Sequence, residues 1–321
     1  MILSGEGQPG YQSDRLNAMP SPVRLIAIDI DGTLLPTVGG QVTDRTCRAL
    51  HAAEAAGIEI VIATGRRQAY ASPLIQPVGL APETILITSN GAVTRTLAGE
   101  RIDRFSLAVE TARPLCGELR RYGGMTVFTF DCEGPGELAV ESIDRLGARI
   151  MPWVNANRPW IREFVPLERA FDAGEAPVQG MICGSVDTMR EAEADLLSSE
   201  FAGRIELHRT EYVSKDLCIL DILPPACSKG VALESLAAAR GIGRDEVMAI
   251  GDNLNDLEML NFAGRPVAMA NGAPGLLEIA SLRGWEIAAS NDQDGVAQIV
   301  ESVLESGGVQ YGKGAAVETP A

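Results

Sequence analysis

A short apolar run that ends in two carboxylates constrains this chain more than any other stretch. Residues 24–35 read R-L-I-A-I-D-I-D-G-T-L-L. Leu25 to Ile28 is apolar, and Asp29, Ile30, Asp31, Gly32 and Thr33 follow it. Such a run, closed by glycine, predicts a buried strand of a parallel sheet. In open α/β sheets the ligand crevice lies beyond the carboxyl ends of the strands. Side chains two apart on a strand share a face, roughly 6–7 Å apart, so Asp29 and Asp31 can address one site together. The competing reading is a pair of loop aspartates that cap a turn, and the rest of the chain has to decide between the two.

The pattern after this strand repeats. Thr43–Ala56 predicts a helix with Thr43 as N-cap and Gly57 as stop. Ile58–Ala63 predicts a second buried strand, ending at Thr64, Gly65 and Arg66. A helix stopped near Pro73 or Pro77 and a strand over Thr84–Thr88 follow, and the strand runs into Ser89, Asn90 and Gly91. This β-α-β-α-β order implies right-handed crossovers and a parallel sheet with its strand ends on one side. Ala92–Phe105 then reads as a hairpin turning at Gly99.

From about 106 to about 223 the rhythm is mixed. Helices are expected near 109–122, 168–174 and 186–200, and strands near 125–130, 178–184, 205–209 and 217–222. Met151–Pro159 reads as irregular. The doubly wound rhythm returns at Ser228, with a helix over 228–239 and a strand over 247–250 that ends at Gly251 and Asp252. A helix over 253–261, strands over 266–269 and 285–288 and a last helix over 295–304 complete it. The expected fold is α/β, a doubly wound Rossmann-like parallel sheet formed by 21–105 and 224–305. An α+β domain on an antiparallel sheet is inserted at 106–223. Residues 1–20 read as a loose arm with Met19 as an alternative start, and 306–321 as a fraying tail.

Composition removes several function classes. The 321 residues carry a formal charge of −16, which opposes sequence-independent nucleic-acid binding. An anionic substrate stays compatible if a metal and local cations hold it. With two histidines, and six cysteines that form no C-x-x-C pair, neither a zinc site nor a disulfide framework is expected, and reduced cytoplasmic thiols fit better. No apolar run approaches the roughly 18 residues of a membrane helix.

The groups at the predicted strand ends are Asp29 with Asp31, Thr64-Gly65-Arg66, Ser89-Asn90-Gly91 and Gly251-Asp252, with Lys229 at a helix start. Phosphoryl transfer needs a nucleophile, an acid for the leaving group, cations and positioned donors. A carboxylate can serve as that nucleophile. Mg²⁺ takes one or two carboxylates and keeps waters, a demand that Asp29, Asp31 and Asp252 meet.

D-I-D-G-T-L at 29–34, T-G-R at 64–66, S-K-G at 228–230 and G-D-N-L-N-D at 251–256 stand in order. Together they resemble the four motifs of the haloacid dehalogenase superfamily. S-N-G-A at 89–92, V-A-M-A-N-G at 267–272 and S-N-D-Q-D-G-V-A at 290–297 are similar to its Cof-type sugar-phosphate phosphatases, which carry a type IIB cap. The resemblance implies Asp29 as nucleophile and metal ligand. It implies Asp31 as acid and base, with its carbonyl on the metal, and Asp252 as the third ligand of Mg²⁺. Backbone at Ile30, Thr64 with Gly65, Lys229 and Asn255 would hold the phosphoryl group. Asp256 would orient the lysine or the metal, and Asn90 and Arg66 are further candidates. The implied activity is hydrolysis of small phosphorylated metabolites, sugar phosphates foremost, by a cytoplasmic monomer or homodimer. The alternatives are a phosphohexomutase on the same core and a non-catalytic binding module. The chain departs from the family where Gly272 separates Asn271 from Ala273 and the next helix lacks a lysine.

Other residues have plainer readings. Arg66 can pair with an acid instead of phosphate. Asn291 and Asp294 fit a turn and a helix cap. His51 and His208 fit structural or surface roles. Trp153 and Trp160 can line a sugar pocket or simply pack.

Overall fold

The computed structural model describes residues 22–37, 39–123, 126–147, 150–212 and 215–307. The arm at 1–20 and nearly all of the tail lie outside these residues. The opening unit is β1 (Leu25–Asp29), α1 (Asp44–Ala55), β2 (Glu59–Ala63), α2 (Gln68–Ile75) and β3 (Ile85–Thr88). A hairpin of β4 (Val93–Thr96) and β5 (Arg101–Arg104) extends it. All five side chains of β1 are buried, as expected of a strand covered on both faces. Thr43 accepts a hydrogen bond from the Thr46 amide, which starts α1 as its position predicts.

The inserted region runs α3 (Val109–Leu119), β6 (Thr126–Thr129), β7 (Leu138–Val140), α4 (Met151–Asn157), β8 (Ile161–Glu163), β9 (Gln179–Gly184), α5 (Val186–Ser198), β10 (Glu206–Tyr212) and β11 (Leu217–Leu223). The chain then adds α6 (Lys229–Ala239), β12 (Val247–Gly251), α7 (Leu257–Phe262), β13 (Arg265–Met269), α8 (Pro274–Arg283), β14 (Glu286–Ala288) and α9 (Gly295–Ser306).

Two sheets result. The larger has the order β14-β13-β12-β1-β2-β3-β4-β5, parallel from β14 to β3 and antiparallel beyond it. Ile26, Ile28, Ile62 and Ile250 pack on the side of α1, α2 and α9. Leu25, Ala27, Val61 and Ala249 pack on the side of α6, α7 and α8. This is the α/β fold that the alternating strands and helices predict. The strand after β1 lies on one side of it and β12 on the other, so β1 borders the switch point where such sheets bind ligands.

The second sheet has the order β10-β11-β9-β6-β7-β8 and is antiparallel except between β7 and β8. Period-two alternation splits its side chains. Phe128, Ile182, Leu220 and Ile222 pack with residues of α3 and α5. Val127, Thr129, Gln179, Met181, Thr210, Tyr212, Ile219 and Asp221 take the other face and line a cavity against the larger sheet.

Several local expectations are corrected. Residues 151–157 are helical, not irregular. Pro152 sits in the first turn, where its missing N–H is not needed, and Val154 and Asn157 are buried one turn apart. The helix expected over 168–174 is a 3₁₀ segment, Leu167–Phe171. Pro73 lies inside α2, which runs on to Ile75, a fully buried anchor. The helix expected from Asn253 begins as a 3₁₀ turn at Leu254–Asp256, because Asp256 accepts hydrogen bonds from the Asp252 and Asn253 amides at 3.0 Å each. β7 and β8 went unforeseen, since three residues are too few to show alternation.

Candidate active site

Asp29 closes β1, Thr64 follows β2, Asn90 follows β3 and Asp252 follows β12, so all four meet at one end of the larger sheet. The Ser228 hydroxyl accepts from the Val231 amide and starts α6, which places Lys229 in its first turn. An ammonium at a helix N-terminus meets the wrong end of the macrodipole, and Lys229 is also completely buried. Two carboxylates compensate: its Nζ lies 2.6 Å from Asp29 Oδ1 and 2.7 Å from Asp256 Oδ1. Burial alone would lower the lysine pKa, but Asp256 and Asp29 outweigh it and hold the ammonium charged. For Asp29 burial dominates, aided by Asp256, and pushes its carboxyl well above the usual range.

Asp256 is also completely buried. One of its oxygens takes the lysine and the other the two loop amides. It therefore fixes both Lys229 and the Asp252 turn. Asp252 accepts from the Thr33 hydroxyl at 3.0 Å, and burial followed by Asp256 pushes its carboxyl up to about 7. Gly32 has φ +82°, and a Cβ there would stand 2.2 Å from Asp252 Oδ2. Only glycine lets the β1 loop approach that carboxylate.

Asp29, Asp252 and Asp256 offer carboxylate oxygens within 4.8 Å of one another, against the single ammonium of Lys229. This donor set is hard, anionic and short of positive charge, which fits a divalent cation with oxygen preference. Asp29 and Asp252 are the members not held by lysine or amides on both oxygens.

Asp31 stands apart from this cluster. Arg66 clamps its carboxylate with Nε at 2.6 Å and Nη2 at 2.5 Å and lies 4.4 Å over the Tyr70 ring. The acid-pairing reading of Arg66 is thus the one that this conformation shows. Ile30 is fully buried. Thr64 accepts from the Arg66 amide, and a Cβ on Gly65 would stand 2.9 Å from Asn90 Oδ1.

Ser89 and Asn90 both adopt left-handed backbone, at φ 50° and 53°, a region that non-glycine residues seldom enter. Gly91 follows at φ +102°, where a Cβ would lie 2.2 Å from the Ser228 carbonyl oxygen. The turn aims the Asn90 amide across the boundary between the sheets. Asn90 accepts from Asn255 at 3.2 Å and donates to Asp221 at 2.9 Å, while Gln179 donates to the other Asp221 oxygen at 2.6 Å.

Asp221 was not anticipated, although it interrupts the apolar run L-C-I-L-D-I-L at 217–223, and a carboxylate in such a run needs partners. Arg67 was also missed. It is buried, paired with Glu137 at 2.6 Å and Asn157 at 2.5 Å, and stacked 4.5 Å from the Trp160 ring centroid. Asn271 donates to the Gly32 carbonyl and Asn291 to the Leu35 carbonyl. Asp294 accepts from Thr43. Asn291 and Asp294 therefore serve structure, and so does His51, hydrogen-bonded to the Val78 carbonyl. All six cysteines are free.

Burial raises the Asp221 carboxyl from 3.8 to about 6, against the lowering effect of Gln179 and Asn90. The folded chain therefore holds more protons here than the unfolded one between those values, and stability falls as pH rises through that window. The loss is on the order of 3 kcal/mol. Asp221→Asn removes it, so the variant's melting temperature relative to the wild type should rise between about pH 4 and pH 7. Calorimetric melts across that range check this, and a constant difference would refute it.

Comparison with known proteins agrees with this geometry. A family model described as haloacid dehalogenase-like hydrolase matches residues 26–300. The HMP-PP phosphatase of Cronobacter sakazakii is 30% identical over 259 residues, covering 79% of this chain and 86% of its own length. The chloroplastic endoribonuclease YBEY of Arabidopsis thaliana is 28% identical over 304 residues, 90% of this chain. The chain spans only about half of that relative, 48%. A haloacid dehalogenase-like hydrolase from Bacteroides thetaiotaomicron superposes with a TM-score of 0.70 at 26% identity, covering 88% of this chain and 99% of its own. A subclass IIB sugar phosphatase shares the fold, with a TM-score of 0.71 at 22% identity over 89% of this chain and all of its own.

Proposed function

The chain belongs to the haloacid dehalogenase-like hydrolases, on its Cof-type phosphatase branch, and from that premise we propose a Mg²⁺-dependent phosphomonoester hydrolase. Its substrates are small phosphorylated metabolites, sugar phosphates among them, and the segment 106–223 is its cap. One observation carries the reading: the buried Asp29–Lys229–Asp256 cluster, with Asp252 beside it, at the carboxyl end of the central strand.

Asp29 and Asp252, with the Asp31 carbonyl, would hold the cation, which supplies charge neutralisation for the phosphoryl oxygens. Asp29 attacks phosphorus through the oxygen that Lys229 does not hold. The P–O bond to the alcohol breaks, and the phosphoryl group stays on Asp29 as an acyl phosphate. Lys229 favours the ionised form of the attacking carboxylate against the burial and the neighbouring Asp256 that disfavour it. Thr64, the Gly65 amide and Asn255 position the phosphoryl oxygens.

Asp31 gives its proton to the departing alkoxide. It then takes a proton from the water that attacks phosphorus, releasing inorganic phosphate and regenerating Asp29. An arriving phosphoryl dianion competes with Asp31 for Arg66, which frees Asp31 for this exchange. The six free thiols support a reducing cytoplasmic setting, and no described helix is long and apolar enough to cross a membrane.

Phosphate release from p-nitrophenyl phosphate tests the reading. Chelation should lower the rate by at least about tenfold, and Mg²⁺ should restore it. An active, chelator-indifferent chain would refute the metal's role.

A further inference from the structure

We propose that Glu206, His208 and Glu258 form a binding site for a divalent transition ion of the zinc type, and that the ion ties the inserted segment to the larger sheet. Each side chain offers one ligand atom, and the three atoms lie within 4.8 Å of one another. Tetrahedral ligands about 2.0–2.1 Å from zinc stand about 3.4 Å apart, a difference that side-chain rotation covers.

Local structure explains the convergence. Glu206 and His208 stand two apart on β10, so they share a face of the strand. β10 is an edge strand of the six-stranded sheet and packs on the turn Leu254–Asp256. Glu258 follows that turn, in the first turn of α7. Its backbone is set by Gly230, where a Cβ would stand 2.6 Å from the Glu258 carbonyl carbon. The start of α6 and the start of α7 therefore touch beside Lys229. A cation held by all three side chains would bridge β10 to the segment that carries Asp252 and Asp256.

The three groups lack partners of their own. His208 Nδ1 is enclosed and, among the described residues, has no hydrogen-bond partner. A ring nitrogen left so has lost water without compensation. Neither Glu206 nor Glu258 has an ion-pair partner among the described residues, and the nearby Lys229 is committed to Asp29 and Asp256. Burial, then Glu258, pushes the Glu206 carboxyl up, as two acids without a cation require. Burial also lowers the His208 pKa, which favours the neutral ring that ligates metals.

The donor set selects the ion. Two carboxylates balance a charge of 2+, and the imidazole adds a nitrogen, which zinc accepts readily and Mg²⁺ does not. The cluster at Asp29 and Asp252 offers oxygen alone. The small number of histidines opposes a site built of several imidazoles, not one imidazole with two carboxylates. On the phosphomonoesterase reading, substrate and product pass between the two sheets, so zinc at this tie would slow turnover.

The chain has two histidines, so isotope-labelled imidazoles give a direct readout. Zinc chloride added to the full chain, with Mg²⁺ in excess, should shift the His208 ring resonances. It should leave those of His51, which is held by the Val78 carbonyl. Calorimetry should show binding at micromolar zinc, weakened at least about tenfold in each of Glu206→Gln, His208→Gln and Glu258→Gln, with Mg²⁺-dependent turnover kept. Zinc should lower the wild-type kcat for p-nitrophenyl phosphate at least about threefold, and that of His208→Gln far less. Binding that needs millimolar zinc, an unmoved His208 ring, or full affinity in His208→Gln or Glu206→Gln overturns the site. Full affinity in Glu258→Gln overturns the tie between the sheets. Equal inhibition of wild type and His208→Gln overturns the link to turnover. A chain inactive on every ester defeats the hydrolase reading instead, and the ring shifts and affinities still decide the site.

Discussion

Asp29→Asn should lower kcat/KM for every phosphomonoester by roughly 10⁴-fold or more, with the fold intact. The amide is nearly isosteric, and its oxygen can still accept the 2.6 Å hydrogen bond from Lys229, but it cannot form an acyl phosphate. Asp29 is buried beside Asp252 and Asp256, and its carboxyl is pushed up chiefly by burial. Removing its charge relieves repulsion, so the melting temperature should hold or rise. This opposition separates chemistry from folding: a destabilised core would lose activity and melting temperature together. Acid-quenched wild-type enzyme should carry a phosphoryl group on the peptide that contains Asp29, and the variant should not. Residual activity above about one per cent of wild type would end the assignment of Asp29 as nucleophile.

The parallel core was legible in the sequence because its strands are buried on both faces. L-I-A-I-D and V-M-A-I-G read as continuous apolar runs, the first ending at Asp29 and the second one residue before Asp252. The insertion was harder. Its sheet alternates, so Val127 and Thr129 look like any half-exposed strand, and nothing local says that their open face meets a second sheet. β7 and β8 are held by pairing across 20 or more residues of chain, which a window of neighbours does not contain.

At the site, Asp29, Lys229 and Asp256 are identified by motif, and the fold brings them within hydrogen-bond distance. The bidentate grip of Arg66 on Asp31 was open to either reading, because a guanidinium at that position can reach a carboxylate or a phosphate. Thr33 is legible only as part of the turn after β1, because the partner of its hydroxyl, Asp252, lies 219 residues away. Arg67 and Asp221 were overlooked because their partners are distant in sequence, Glu137 and Asn157 for the arginine and Asn90 and Gln179 for the aspartate.

Lys229→Met should be among the most damaging single changes to stability, costing about 3–5 kcal/mol, because it leaves two carboxylates without their counter-charge. The ammonium is fully buried between Asp29 and Asp256, so water cannot replace it. Methionine fills similar space, which removes cavity formation as the main cause. If the loss is electrostatic, it must depend on the partners. Asp29→Asn in the Lys229→Met background should therefore recover part of the stability, by roughly 1–2 kcal/mol, although Asp29→Asn alone does little. Asp256→Asn should recover less, because Asp256 also accepts from the Asp252 and Asn253 amides and an asparagine retains only one acceptor oxygen. Urea unfolding of the four chains in that first cycle measures the coupling directly. Additive losses would mean that the lysine acts by packing alone, and the charge argument for the site would fall with it.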